Sequence, residues 1–243
     1  MSLDEILAAL FPAGHDVAVR GGLAFGTGRL PGAEVAVVGA VGGTEVGVAE
    51  ALALSAELLR VARSHPGRPF LFPVDTRGQR MSLRDEILGL SGALAHLAEC
   101  VELVRRSGHR TIGLLHGEAV SGGVLPLGFM ADEVHALPGA HPAVMNLPAM
   151  ARVTKIPLER LEQLSRSSPL LAPGLSSFFA MGAVVSVWEA PLSSALAAAL
   201  ARPAGPDARM ELAASRGGRT LAMAWSACGI KNGPYWLPKK PAW

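Results

Sequence analysis

The chain has 243 residues, half of them hydrophobic and 17% charged, with a formal net charge of +2 and a mean hydropathy of +0.34. That length suits one α/β domain, and its dispersed arginines, with no interleaved aromatics, leave no nucleic-acid footprint. The longest apolar stretches, near residues 120–131 and 175–188, are rich in Gly and Ser and shorter than the roughly 18 residues a membrane span needs, so the surplus apolar surface points to a protein partner.

Asp4 and Glu5 precede only a short apolar stretch, which lacks the charge pattern and length of a secretory signal, so the cytoplasm is the expected location. Residues 17–20 and 23–28 read as a hairpin. The continuous run Val35-Ala36-Val37-Val38-Gly39-Ala40-Val41 predicts a strand buried on both faces. A helix is expected over residues 45–63, with Thr44 as its N-cap and Val46, Ala49, Ala53, Ala56 and Leu59 close to one face. A second strand follows at 70–75, then a loop at 76–83 and one long helix at 85–107 ended by Gly108. A third strand, 111–115, leads into Gly117-Glu118-Ala119-Val120-Ser121-Gly122-Gly123, and short strands are expected at 133–137 and 184–188. Cys100 and Cys228 lie apart from each other and from histidines at ligand spacing, so both read as small buried hydrophobes, with no metal site.

Strand, crossover helix and strand in repetition predict a parallel central sheet with helices outside, an α/β fold. From Pro203 the composition turns to Pro, Gly and Arg without an apolar period. The expected organisation is therefore one domain over residues 1–202 and a tail over 203–243 that either docks on a partner or is poorly ordered.

The segment from Gly117 to Gly123 carries most of the functional signal. Two successive glycines let a ligand approach two backbone N–H groups, and a helix beginning there adds unpaired amides and the positive end of its dipole. The pattern suits an oxyanion cradle; a tight turn between strand and helix is the structural alternative.

Three stretches resemble the crotonase-like fold and its carboxyltransferase branch: Val74-Asp75-Thr76-Arg77-Gly78-Gln79, Gly117 to Gly123, and Met181-Gly182-Ala183-Val184-Val185. Val74 to Glu86, together with Asn146 to Leu161, resembles the gamma subunit of biotin-independent malonate decarboxylase, and the Pro148 to Leu161 stretch is the most specific part. The resemblance implies repeated ββα units. It also implies pairing with a homologous beta subunit and decarboxylation of malonyl carried by an acyl carrier protein. No cofactor would be bound directly, since the carrier's phosphopantetheine-type arm presents the substrate. The successive amides of the family's anion hole map onto Gly122 and Gly123.

Losing CO2 from a malonyl thioester leaves an enolate, so the catalyst must hold a carboxylate and stabilise charge growing on oxygen, a task for preorganised amides that needs no general base. Gly117-x-Ala119-x-Ser121-x-Gly123 also echoes the nucleophile segment of Clp-type serine proteases, with His135 or His141 as the candidate base. Ser121 serves equally well as a helix cap. Glu118 is expected in a positioning role or as an ordinary loop carboxylate. Asp75, Thr76 and Gln79 are expected to shape the substrate pocket or a partner contact, or else to cap a turn. Arg152 and Lys155 would meet the acidic carrier or the phosphate of its arm, or else form a solvated helix face. His96 and His109 read as packing or surface residues. Two further readings stay open: an alpha-type subunit of a biotin-dependent carboxyltransferase, and a scaffold that completes the partner's site.

Overall fold

The apolar runs near residues 37, 72 and 113 are the middle strands of an eight-stranded sheet in the computed structural model, which describes residues 1–167, 172–203 and 205–218. The strands are β1 (Ala18–Arg20), β2 (Leu23–Leu30), β3 (Ala33–Val46), β4 (Phe70–Gln79), β5 (Thr111–Val120), β6 (Glu133–Ala136), β7 (His141–Ala143) and β8 (Ser186–Val187). Their order is β1-β2-β3-β4-β5-β6-β8, with β7 paired to β5. The β1-β2-β3 pairings are antiparallel and all later ones parallel, so the α/β class and the mostly parallel sheet agree with expectation.

The helices are α1 (Leu3–Leu10), α2 (Val48–Ser64), α3 (Leu83–Ile87), α4 (Leu90–Arg106), α5 (Ser121–Val124), α6 (Leu147–Thr154), α7 (Leu158–Ser167), α8 (Leu175–Ala180), α9 (Leu192–Ala201) and α10 (Arg209–Ser215), with a π-helical turn at Leu125–Phe129. Side chains alternate between two cores, as the pleat requires. Ala36, Val38, Phe70, Phe72, Val74 and Leu115 face α2 and α4. Val35, Val37, Leu71, Ile112 and Leu114 face α1 and α9. All of these are essentially inaccessible to solvent, which is why the three runs are continuously apolar.

Several boundaries differ from expectation, each for a physical reason. Helix α2 begins at Val48, capped from Gly47, and Glu50 Oε2 accepts the Gly47 N–H at 3.0 Å; Thr44 is a strand residue, not a cap. The single helix expected at 85–107 is two, because Gly89 adopts φ +83 between α3 and α4, a conformation that ends a helix and suits glycine. The loop expected from residue 76 is strand through Gln79, and β5 likewise runs five residues past Leu115 to Val120.

These extensions build the site. β3 and β4 shift register between Ala40 and Thr44, and β4 and β5 shift between Val74 and Thr76. Beyond the shifts a new row of partners forms, Thr44 with Thr76, Thr76 with Ala119, and Ala119 with Pro142 of β7. β5 thus leaves β6 after Leu115 and pairs with β7 from Glu118. Helix α10 follows Pro203, and Arg216 beyond it donates to the carbonyls of Phe179, Val184 and Val185. Cys100 is buried; Cys228 and the tail from residue 219 lie outside the described residues.

Candidate active site

At the end of β5 the chain turns from strand to helix on one left-handed residue. Ser121 has φ +51, and Lys155 is the other non-glycine with positive φ among the described residues. Consecutive backbone N–H groups at such a turn form a concave anion nest. Ser121 is not the helix cap: that position falls to Val120, which makes no side-chain capping bond.

The two glycines that follow have different surroundings. Gly123 is buried, and a Cβ there would lie 2.7 Å from Thr76 Oγ1 and 2.8 Å from the Gly78 carbonyl carbon and oxygen. Its lack of a side chain lets α5 press on the backbone of β4. Gly122 is half-buried; its N–H donates to Gln79 Oε1 at 2.9 Å. A Cβ at Gly122 would meet only side-chain atoms, Gln79 Oε1 at 2.9 Å and Leu94 Cδ1 at 3.4 Å nearest.

Thr76 is wholly buried; its hydroxyl donates to the Thr44 carbonyl at 2.6 Å and accepts the Gly78 N–H at 3.1 Å. It therefore shapes the pocket from behind, clasping β3 to the end of β4, and exposes no surface to a ligand. Gln79, the last residue of β4, reaches Gly122 directly. Asp75 Oδ1 accepts the Glu118 N–H at 2.9 Å, which fixes the backbone while the Glu118 side chain stays exposed.

Two clefts flank this junction. Gly122 lines a mainly apolar one of about 560 Å³ with Leu94, Ala98, Leu125, Phe129 and Met130, and with Arg209 of α10 beside it. Glu118 and Val120 line the other with Arg77, His141 and Asn146. Arg209, assigned to the tail by composition, hydrogen-bonds the Phe129 carbonyl at 2.9 Å and so belongs to the cleft wall. Arg152 and Lys155 are exposed on and just after α6 and line neither cleft.

The histidines do not complete a serine triad. His135 is buried and stacked on Trp188 with centroids 4.6 Å apart; Nε2 lies 3.0 Å from Glu133 Oε2 and Nδ1 2.9 Å from Ser186 Oγ. With the carboxylate as acceptor, Nε2 carries the proton and Nδ1 accepts from the serine hydroxyl. Burial pushes its pKa down to about 4, against the pull of Glu133. His141 pairs in register with Glu118 but has no hydrogen bond to Ser121 among the described residues. His116, which directly precedes Gly117, also has its pKa lowered by burial; sequence reading gave no sign of it. His96 is exposed; His109 is buried, with Nδ1 2.9 Å from the Arg68 carbonyl.

Residues 41–228 match the family model described as malonate decarboxylase gamma subunit. The chain belongs to that family. Among curated proteins, the malonate decarboxylase gamma-type chain is 30% identical over 170 residues to the malonyl-S-ACP:biotin-protein carboxyltransferase MADD of Malonomonas rubra, a match covering 63% of this chain and 58% of that protein. Among solved structures it is similar to a Pseudomonas malonate decarboxylase hetero-tetramer in complex with coenzyme A, with TM-score 0.76 and 27% identity over 93% of this chain and 97% of that one. It also matches a Pseudomonas MdcD-MdcE hetero-dimer, with TM-score 0.71 and 28% identity over 93% and 96%. Transcarboxylase 12S, 20% identical over 84% of this chain and 43% of that one, shares the fold at TM-score 0.67. The crotonase-like carboxyltransferase fold expected from the motifs is the fold of this gamma-family chain.

Proposed function

We propose that this chain is the gamma-type half of a decarboxylating pair. With a homologous beta subunit, it takes malonyl carried as a thioester on the phosphopantetheine-type arm of an acyl carrier protein and yields the acetyl thioester and CO2. It works in the cytoplasm and binds no cofactor of its own. Family membership supports this reading. The feature of the chain that carries it is the Gly122 amide, an N–H donor at the wall of an apolar cleft.

Breaking the bond to the carboxylate leaves its electron pair in the α-carbon and thioester oxygen; the enolate then takes one proton to become acetyl. The protein must lower the energy of the anionic oxygen, and one preorganised donor is worth about 3 to 4 kcal/mol of barrier in such a setting. No proton acceptor has to stand over the glycines. The first carboxylate after Gly123, Asp132, is already committed, with Oδ1 2.9 Å from Arg105 Nε and Oδ2 accepting the Thr111 N–H at 2.8 Å. That arrangement favours decarboxylation over hydration. Glu118 acts in positioning beside the second cleft, and Ser121 sets the turn. Arg152 and Lys155 offer exposed positive charge to the carrier or the phosphate of its arm.

Pairing with a beta subunit is supported by Met81, Leu83, Ile87 and Leu88, which are 78%, 78%, 75% and 58% exposed along the segment after Gln79. Exposed large apolar side chains gathered in one short segment are characteristic of an interaction surface. The likeness to the Malonomonas rubra protein favours a second reading, transfer of the carboxyl group to protein-bound biotin. Mass spectrometry of malonyl-loaded carrier protein, incubated with the chain and its co-purifying partner, separates the two. Acetyl carrier formed in the presence of avidin supports the proposal; no acetyl product, or full loss with avidin, overturns it.

A further inference from the structure

We infer that Gln79 is a built-in competitor for the Gly122 amide, a carboxamide that occupies the donor until a ligand oxygen displaces it. This rests on the reading of Gly122 as an anion donor given above. That donor has an acceptor within the chain: Oε1 of Gln79 accepts the Gly122 N–H at 2.9 Å. That oxygen is a neutral carbonyl-type acceptor, standing where an anionic carboxylate or enolate oxygen would bind.

The backbone around Gln79 is fastened on both sides, so displacement is a side-chain rotation. The Gly78 N–H donates to Thr76 Oγ1 at 3.1 Å, and the Arg80 N–H donates to the Val46 carbonyl at 3.0 Å. The Arg80 guanidinium is in turn held by Glu50 Oε1 at 2.9 Å and by the Glu45 carbonyl at 3.1 Å. The Gln79 side chain is half-buried and its amide group leans on Gly122, where a Cβ would come within 3.3 Å of Cδ. Such a rotation moves no strand and requires no refolding.

An anionic oxygen makes a charge-assisted bond to the amide roughly twice as strong as a neutral one. A carboxylate or enolate therefore displaces Gln79 readily, whereas water or a neutral carbonyl meets it on even terms. A competitor of this kind weakens every ligand of the amide by one common factor, the inverse of the fraction of time the donor is free. The gain is a half-buried donor that keeps a hydrogen-bond partner between turnovers.

The test is calorimetric titration of the purified complex of this chain and its beta partner with malonate and with neutral malonamide, in the wild type, Gln79→Ala and Gln79→Glu. Removing the competitor should lower both dissociation constants by the same factor, about fivefold, as expected for one neutral hydrogen bond. Gln79→Glu places a charged acceptor on Gly122 and should raise both, malonate the more because the two anions repel. Affinities unchanged or weakened in Gln79→Ala, or tightened in Gln79→Glu, would overturn the inference. So would an absence of malonate binding in all three forms. A wild-type complex that binds malonate but turns over no malonyl thioester defeats the reaction assigned above, and the titrations still decide the role of Gln79.

Discussion

The Thr76 hydroxyl stands 2.7 Å from the place where a Cβ on Gly123 would lie, with the Gly78 carbonyl 2.8 Å away on the same side. The neighbouring glycine faces only the ends of side chains. Two residues that look alike in the sequence therefore have different surroundings: at Gly123 helix α5 seats against β4, and at Gly122 the amide bonds the Gln79 side chain.

Gly123→Ala should accordingly destabilise the protein. The new methyl meets backbone that is itself pinned by Thr76, and overpacking against a rigid wall costs about 1 to 3 kcal/mol. Thermal unfolding should show a clear drop in Tm, and an unchanged Tm would contradict the close packing.

Ser121 gives a second contrast. Its left-handed φ of +51 is costly for any residue with a Cβ, by about 1 kcal/mol or more. Ser121→Gly should therefore raise Tm, and Ser121→Val, β-branched, should lower it. Ser121→Ala should keep most of the decarboxylation rate, since no base is bonded to the hydroxyl among the described residues. A loss of about a thousandfold in Ser121→Ala would restore the nucleophile reading.

His135 predicts a pH dependence of stability. Its pKa falls from 6.5 to about 4 on folding, so between those values the unfolded chain binds a proton that the native chain does not. The stabilisation is complete above pH 6.5 and is lost as pH falls toward 4, up to about 3 kcal/mol in all. Glu133 changes in the same sense: burial alone would raise its pKa, but Arg202 and Arg110 outweigh that and hold it low. Urea unfolding at a series of pH values should show this slope, and His135→Gln should flatten it. Equal slopes in the two proteins would rule out His135 as its source.

The exposed strip after Gln79 should matter to assembly and not to folding. Leu83 and Ile87 are 78% and 75% exposed, so Leu83→Asp with Ile87→Asp should leave the unfolding free energy within about 1 kcal/mol of wild type. Co-elution with the beta subunit in size-exclusion chromatography should be lost. Retained co-elution would place the partner elsewhere.

Much of the fold could be read from residues. The runs around Val37, Phe72 and Ile112 are buried on both faces, and continuous apolar sequence is the signature of that environment. The strand extensions could not be read the same way. Beyond Val74 and Leu115 the chain turns to Thr, Arg, Gln, His and Glu, because these segments pair with one another across register shifts and form the rim of the site. Helix α1 carried a readable signal that went unused, the capping box in which Ser2 and Glu5 bond each other's backbone N–H. The break at Gly89 needed its φ. At the site, the sequence marked Gly122 and Gly123 as a pair, and Gln79 as a pocket residue, but the hydrogen bond joining Gln79 to Gly122 spans 43 positions. No local pattern encodes such a contact. Arg209 was missed because the composition after Pro203 resembles a tail, while its side chain reaches the Phe129 carbonyl.

The most direct measurement of the central claim is the steady-state rate of acetyl carrier formation from malonyl carrier by the reconstituted pair, with wild-type chain and with Gly122→Ala. Only the end of the Gln79 side chain and Leu94 lie in the way of the new methyl, so the variant should fold and assemble. With the donor obstructed, kcat should fall by about a hundredfold, the usual cost of losing one oxyanion donor. An assembled Gly122→Ala complex that turns over at the wild-type rate would contradict the account.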